Sequence, residues 1–409
     1  MSAVVTTELR ERAAETFAKL GWPTTRIEEW RYTNLARLQK IAWRTDDAVA
    51  AIDSPASLAE QAAMELVFVN GRHVRTTGSI ATASGSVAEA ATAPQDGLTI
   101  ADWERNAMVA LNTANAQDGA RIHIPGGVVA EGFIHLLFIG RADGTDNIWS
   151  HPRNVITVGA NAQVKIVETY VGSGSYFTNH VTEIVAEESA VVDHYKVECE
   201  SLSAYHVGNV FIRQERGANV TSRTFAIGGA IARNETHVVL NGEGTSVTLD
   251  GLFFGSGTQH LDTRTVIDHV QPHCESLELY KGVLDQNARG VFDGLIIVRP
   301  GAVKTVSKQT NRNLLLSETA IVDSKPNLEI HNNDVKCNHG STIGQIDEEA
   351  LFYLRSRGVG ENEARSLLIF AFASEIADRI AIEPVREQIR RALFRAMPER
   401  LPERRGGTR

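Results

Sequence analysis

The residues best equipped for chemistry lie in one short stretch, His331-Asn-Asn-Asp-Val-Lys-Cys-Asn-His-Gly340. Cys337 and His339 stand two positions apart. On a β-strand, residues i and i+2 project from the same face, so this spacing predicts a thiol and an imidazole side by side. Thiolate together with imidazole suits iron–sulfur species, zinc or copper. One Cys and one His are too few to close a metal site, so further ligands would have to come from elsewhere, another chain included. The alternative is a Cys-x-His pair that only packs within a strand. Cys199 and Cys274 sit in Val- and Leu-bearing runs and read as small core residues.

Other chemistries lack their signatures. No Gly-Lys pair occurs, so there is no loop in which backbone amides and a lysine could cradle phosphates. Gly242-Glu-Gly-Thr245 and Gly255-Ser-Gly-Thr258 begin like a dinucleotide fingerprint but lack the third glycine at its offset. Nucleophile elbow, zincin motif and Cys-x-x-Cys are all missing. Asp262, Asp268 and Asp293 are the carboxylates that a polysaccharide-active enzyme with a long groove would use. Against that reading, only 6% of residues are aromatic, which leaves little for sugar stacking.

The 409 residues carry 41 basic and 50 acidic side chains, a net charge of −9, which argues against binding nucleic acid or an anionic membrane. Three scattered cysteines predict a reducing cytosol rather than a disulfide framework. The start, Met1-Ser-Ala-Val-Val-Thr-Thr-Glu8, has neither the basic lead nor the apolar run of an export signal. Apolar runs such as 133–140 fall well short of the roughly 18 residues that a membrane-spanning helix needs. A soluble, cytoplasmic protein is expected.

The elements that must position Cys337 and His339 are legible in outline. Leu9, Ala13, Phe17 and Leu20 recur at helical spacing and Gly21 with Pro23 supplies a stop. Asn70-Gly71 predicts a type I′ hairpin, and Asp102 is the expected cap of a helix carrying Trp103, Ala107 and Leu111. We take 1–119 as a mixed, largely helical N-terminal domain. From 120 to 344 the chain turns to short Val/Ile/Thr-rich runs between Gly- and Asn-bearing turns, an all-β segment. Turn-plus-strand starts recur at Gly159-Ala-Asn-Ala-Gln-Val164, Glu188-Ser-Ala-Val191, Gly217-Ala-Asn-Val220, Gly244-Thr-Ser-Val247 and Gly301-Ala-Val303. The step is close to 28 residues, with one double step before Gly301, and predicts a β-solenoid whose coils share a continuous core. A sandwich or barrel with hairpins of similar length is the alternative. A helical C-terminal domain, 345–409, opens with Asp347 as cap; Gly358 ends its first helix, Asn362 caps the second and Pro384 opens the third. Leu367, Phe370, Phe372 and Ile376 on the second helix are candidates for docking a partner, or for packing on the β domain. The tail at 398–409 reads as frayed.

Taken together, several stretches resemble a known family. They are Asp268-His-Val-Gln-Pro-His-Cys-Glu-Ser276, Tyr280-Lys-Gly-Val-Leu-Asp285, Gln309-Thr-Asn-Arg-Asn-Leu-Leu-Leu316, Lys325-Pro-Asn-Leu-Glu-Ile330, Asp334-Val-Lys-Cys-Asn-His-Gly340 and Leu351-Phe-Tyr-Leu-Arg-Ser-Arg-Gly358. Weaker echoes fall at Glu28-Glu-Trp-Arg-Tyr-Thr33, Val67-Phe-Val-Asn-Gly71 and Leu111-Asn-Thr-Ala114. The pattern is similar to the SufB/SufD family of scaffold subunits in SUF iron–sulfur cluster assembly, and Lys336 to Gly340 favours its D branch. The resemblance implies a mainly β fold, a right-handed parallel β-helix core with helical N-terminal and C-terminal domains. It implies pairing with a SufB-like paralogue through the β-helix ends and docking of a SufC-like ABC ATPase on the C-terminal helices, with ATP bound by that ATPase and not by this chain. It also implies a transient iron–sulfur cluster at the inter-subunit site, with His339, beside Cys337, facing a cysteine of the paralogue. No enzyme activity of its own is expected. Without its paralogue, an exposed β-helix face could self-pair into a homodimer.

Overall fold

The computed structural model describes residues 7–46, 52–82, 85–86, 88–92, 100–116, 118–144 and 147–397. The tail expected to fray, 398–409, and the first six residues lie outside them. Two long sheets lie face to face, and the chain alternates between them, giving a parallel β-solenoid of about seven turns with helices toward both termini. The front sheet runs through Ile134–Arg141, Gln163–Ser173, Val191–Cys199, Asn219–Ala226, Ser246–Gly255, Glu275–Leu284, Val306–Leu315 and Lys336–Gly344. The back sheet runs through Arg153–Val158, Tyr176–Ala186, Tyr205–Gln214, Ile231–Leu240, His260–His269, Arg289–Val298 and Ile321–Ile330.

The sequence period is the coil length. Gln163 pairs with Val191, Val191 with Asn219, Asn219 with Ser246 and Ser246 with Glu275, all in parallel register. That pairing excludes a hairpin-built sandwich or barrel. At the corners entering six successive front strands, from Gln163–Ser173 to Val306–Leu315, one residue is left-handed: Asn161, Ser189, Gly217, Gly244, His273 and Lys304 have φ of 59°, 58°, 67°, 69°, 59° and 59°. Gly and Asn tolerate this conformation, which is why some corners are visible as turn signals. The double step before Gly301 hides a complete coil whose corner residue is His273. Corner amides tie successive coils, Asn161 N–H donating to the Glu188 carbonyl at 2.8 Å and Ser189 N–H to that of Arg216 at 2.8 Å.

Inward positions stack in ladders, Val164 on Val192, Val220 and Val247, all at most 4% exposed. Each such buried β-branched side chain contributes roughly 1.5–3 kcal/mol. Cys274 belongs to the small-residue ladder beside the corners, with its Sγ 3.1 Å from Thr245 Oγ1. Cys199 is half-buried, and burial pushes its thiol up to about 12.

The outer faces of the solenoid are covered separately. Trp30, Leu35, Leu38, Met108 and Leu111 pack on Phe177, Tyr205 and Val207 of the back sheet. The C-terminal helices Glu348–Ser356, Glu361–Ala377 and Glu383–Ala396 lay Ile369, Ala373, Ile376, Ile389 and Leu393 over Val167, Val197, Phe225, Leu252 and Val283 of the front sheet. Met64–Val69 pairs parallel with Ile134–Arg141, so the front sheet takes in residues within the 1–119 stretch. Its hairpin partner Arg72–Gly78 closes that end antiparallel, with Asn70 and Gly71 at φ 47° and 79° as a type I′ turn requires.

Two caps differ from expectation. The helix after Asp102 begins at Ala107, where Asn106 Oδ1 accepts from the Met108 and Val109 amides at 3.0 and 3.2 Å, while Asp102 only receives the Arg105 amide in the preceding turn. Glu361–Ala377 has Gly360 at its N-cap, not Asn362, and no side-chain cap. Asp347 caps its helix as expected, accepting from the Glu349 and Ala350 amides.

Candidate functional site

Cys337 and His339 lie on Lys336–Gly344, the last strand of the front sheet. That strand bonds only Val306–Leu315, and its back-sheet counterpart Ile321–Ile330 bonds only Arg289–Val298. Among the described residues both sheets therefore end here in edge strands bonded on one side only. The turn between the two strands is pinned to the previous coil. Lys304 pairs with Asp334 at 2.8 Å, the Asn332 amide donates to the Pro300 carbonyl at 2.6 Å, and Lys336 N–H donates to the Thr305 carbonyl at 2.8 Å.

Strand alternation and register set what lies beneath. Cys337 is opposite Ser307, which is opposite Ser276; His339 is opposite Gln309, which is opposite Glu278. All four underlying residues are buried, so two polar files lead inward from the terminal coil. In the first, Ser307 and Ser276 hydroxyls lie 2.7 Å apart and Ser276 meets His269 Nε2 at 2.9 Å. Burial lowers His269 to about 4, so that imidazole is neutral at physiological pH. In the second, Gln309 Nε2 donates to Glu278 Oε2 at 2.7 Å, and burial raises the Glu278 carboxyl to about 7. Across the mouth the Ser324 hydroxyl of the back sheet meets Ser341 Oγ at 2.7 Å and donates to Asn311 Oδ1 at 2.8 Å. Cys337 itself is half-buried with its thiol raised by burial, and His339 is exposed and makes no hydrogen bond. The expected pair is thus brought side by side at an open end. Among the described residues no group of three or more His, Cys, Asp or Glu could hold a metal ion.

A buried polar cluster further inside was not anticipated from the sequence. Lys196 Nζ lies 2.6 Å from Glu198 Oε1, and His206 bridges Glu198 and Glu200 at 2.9 and 2.8 Å. Burial opposes charge on His206, but these two carboxylates outweigh it and raise its pKa. Its signal was the alternation of His194, Lys196 and Glu198 along one strand face, opposite Ser222, Thr224 and Ala226 of the next coil.

The docking candidates separate by exposure. Leu367 is 38% exposed, Phe370 is half-buried and stacks on Phe394 at 4.8 Å, and Phe372 lies under Lys281, whose Nζ is 4.2 Å from the ring centroid. Ile376 is fully buried against the solenoid and offers nothing to a partner in this conformation. Phe352 and Tyr353 on the first C-terminal helix, 73% and 56% exposed, were not singled out from sequence. The three carboxylates proposed for a glycan-active groove are engaged: Arg233 binds Asp262, Arg264 binds Asp293, and Arg299 meets Asp268 at 2.9 Å.

Residues 139–372 match the family model described as SUF system FeS cluster assembly, SufBD core domain. The chain is 31% identical to the iron-sulfur cluster assembly protein SufD of Escherichia coli over 90% of this chain and 88% of that protein. An iron-sulfur cluster assembly SufBD family protein of Synechocystis is 33% identical over 91% and 87%. The iron-sulfur cluster assembly protein SufD of Bacillus subtilis is 27% identical over 72% and 67%.

Proposed function

We propose, from the premise that the chain belongs to the SufBD family of the SUF iron–sulfur cluster assembly system, that it is a scaffold subunit whose open solenoid end pairs with a SufB-like paralogue. There it contributes His339 and Cys337 to a nascent cluster completed by the partner. The observation that carries this reading is the meeting of two features at one place. Both sheets end in unpaired edges, and the terminal coil holds a thiol and an imidazole too few in number to bind a cluster alone. A partner strand added to those edges satisfies the backbone groups and brings the missing ligands. The cluster is cargo. It is assembled at the site and passed on.

ATP hydrolysis is assigned to a SufC-like ATPase docked on the C-terminal helices. Support comes from the exposed Phe352, Tyr353 and Leu367, since a helical face with protruding aromatics suits a protein partner. Lys281 links that face to the solenoid, with Nζ donating to the Phe372 carbonyl at 2.9 Å and pairing with Glu375. Movement of the helices would therefore be felt by the strand next to the one carrying Gln309.

The test is anaerobic co-purification with both partners, followed by iron and acid-labile sulfide assays on wild type and His339→Ala. Intact complexes with cluster lost only from the variant are expected. Equal cluster content in both would leave the chain a purely architectural subunit, and folded protein that joins no complex would overturn the scaffold reading.

A further inference from the structure

The residue directly beneath His339 is in an unusual state. Gln309 is fully buried, its Nε2 is committed to Glu278 below, and its Oε1 is buried with no hydrogen-bond partner. Leaving such a buried oxygen unpaired is costly. Above the Glu278 titration near 7 the amide cannot simply turn over. An ionised Glu278 accepts but does not donate, so the NH2 must face it and Oε1 must face away. Steric fit holds the group as well, because a Cβ at Gly294 of the back sheet would run into the Gln309 amide. The next residue outward in this file is His339, which has no hydrogen bond of its own.

An imidazole that binds a metal through one nitrogen carries its proton on the other, and that N–H needs a carbonyl or carboxylate acceptor to fix the tautomer and ring orientation. We infer that Gln309 is a positioning residue for His339: its unpartnered Oε1 accepts the ring N–H and so presents the opposite ring nitrogen to a divalent transition metal. The inference rests on His339 acting as a ligand. Glu278 is the anchor that fixes the amide, and the unpaired oxygen is satisfied only when His339 turns inward to bind. Gln309 touches no metal itself.

The probe is Zn2+ alone, a redox-inert stand-in, added to the full chain in complex with its co-purified paralogue at a pH above the Glu278 titration near 7. Chelator competition reads affinity, and 15N shifts of labelled imidazole read the tautomer. Gln309→Leu should weaken binding about 10- to 100-fold, as loss of an outer partner to a metal-bound His does. The exchange Glu278→Gln with Gln309→Glu, which restores an acceptor at 309 with an amide donor beneath it, should return affinity to within a few fold of wild type. Should Gln309→Leu fail to fold, wild type decides: with zinc bound, the non-ligating N–H of His339 must be protected from solvent exchange. Wild-type affinity in a folded Gln309→Leu, or a freely exchanging N–H in wild type, overturns the role of Gln309; if His339→Ala still weakens binding, His339 remains a ligand. Equal affinity of His339→Ala and wild type, or no binding by wild type, overturns both.

Discussion

At the scale of single residues, the solenoid interior tolerates polar groups only where neighbours answer them. Glu278 is answered by the neutral donors Thr265 and Gln309 and by no cation, and burial raises it to about 7. A carboxyl whose folded pKa lies above its unfolded value of 4.5 is penalised once it ionises, so its contribution is fully present below 4.5 and is lost as pH rises through about 7. Glu278→Gln should therefore remove a decline in stability between those limits of roughly 3 kcal/mol, read from urea midpoints across pH. An unchanged pH profile would refute it. Arg233 shows the opposite arrangement, a fully buried cation over the Trp30 ring at 4.0 Å, bound to Asp262 and to Glu235 at 2.6 Å. Arg233→Met leaves buried Asp262 without its cation and Glu235 with only the more distant Arg264 at 3.7 Å, and should cost about 3–5 kcal/mol. Its neutral partner change, Asp262→Asn, should cost less, since Glu235 stays paired.

At the scale of elements, the coil corner is the unit that repeats. Gly244 has φ 69° and open space around the position of a Cβ, so Gly244→Ala tests conformation alone. It should lower stability by about 1 kcal/mol, the cost of a left-handed L-residue, without loss of the fold. Thermal unfolding checks it, and a neutral result would mean that the corner is not strained by a side chain. The corners also explain what the sequence did and did not disclose. Gly217, Gly244 and Asn161 announce themselves by type, whereas His273 and Lys304 adopt the same left-handed conformation without a sequence signal, so one coil merged into a double step. The cap falls at Asn106 rather than Asp102 for a similar local reason. Asp102 and Asn106 are both acceptable caps by type, and only the packing of Met108 and Leu111 on the back sheet selects where the helix starts.

At the scale of the whole molecule, the front sheet ends in an antiparallel hairpin strand on one side and in the parallel strand carrying Cys337 and His339 on the other, while the two flanks of the solenoid carry separate helical coats. Ile343 on the last strand is 54% exposed, and Ile330 on the other edge strand 40%. Ile343→Lys should abolish pairing with the paralogue, and any self-pairing of the isolated chain, while leaving the unfolding midpoint unchanged; sedimentation velocity on isolated and mixed proteins tests this. Phe352→Ala with Tyr353→Ala should lower co-purification of the ATPase at least tenfold without altering pairing at the open end, and equal recovery would remove the helices from the docking face. The sequence by itself determined the coil period, the all-β segment, the terminal helices and the thiol–imidazole pair, because left-handed corners, alternation and i, i+2 spacing are local properties of the chain. Only the tertiary structure decided that Ile376 is core while Phe352 is exposed, that Cys337 and His339 stand at an open edge, and that Gln309 and Glu278 lie beneath them. The first depends on how the helices pack on the front sheet, and the others on register between strands about 30 residues apart, which is fixed by the summed fit of all coils rather than by any one segment.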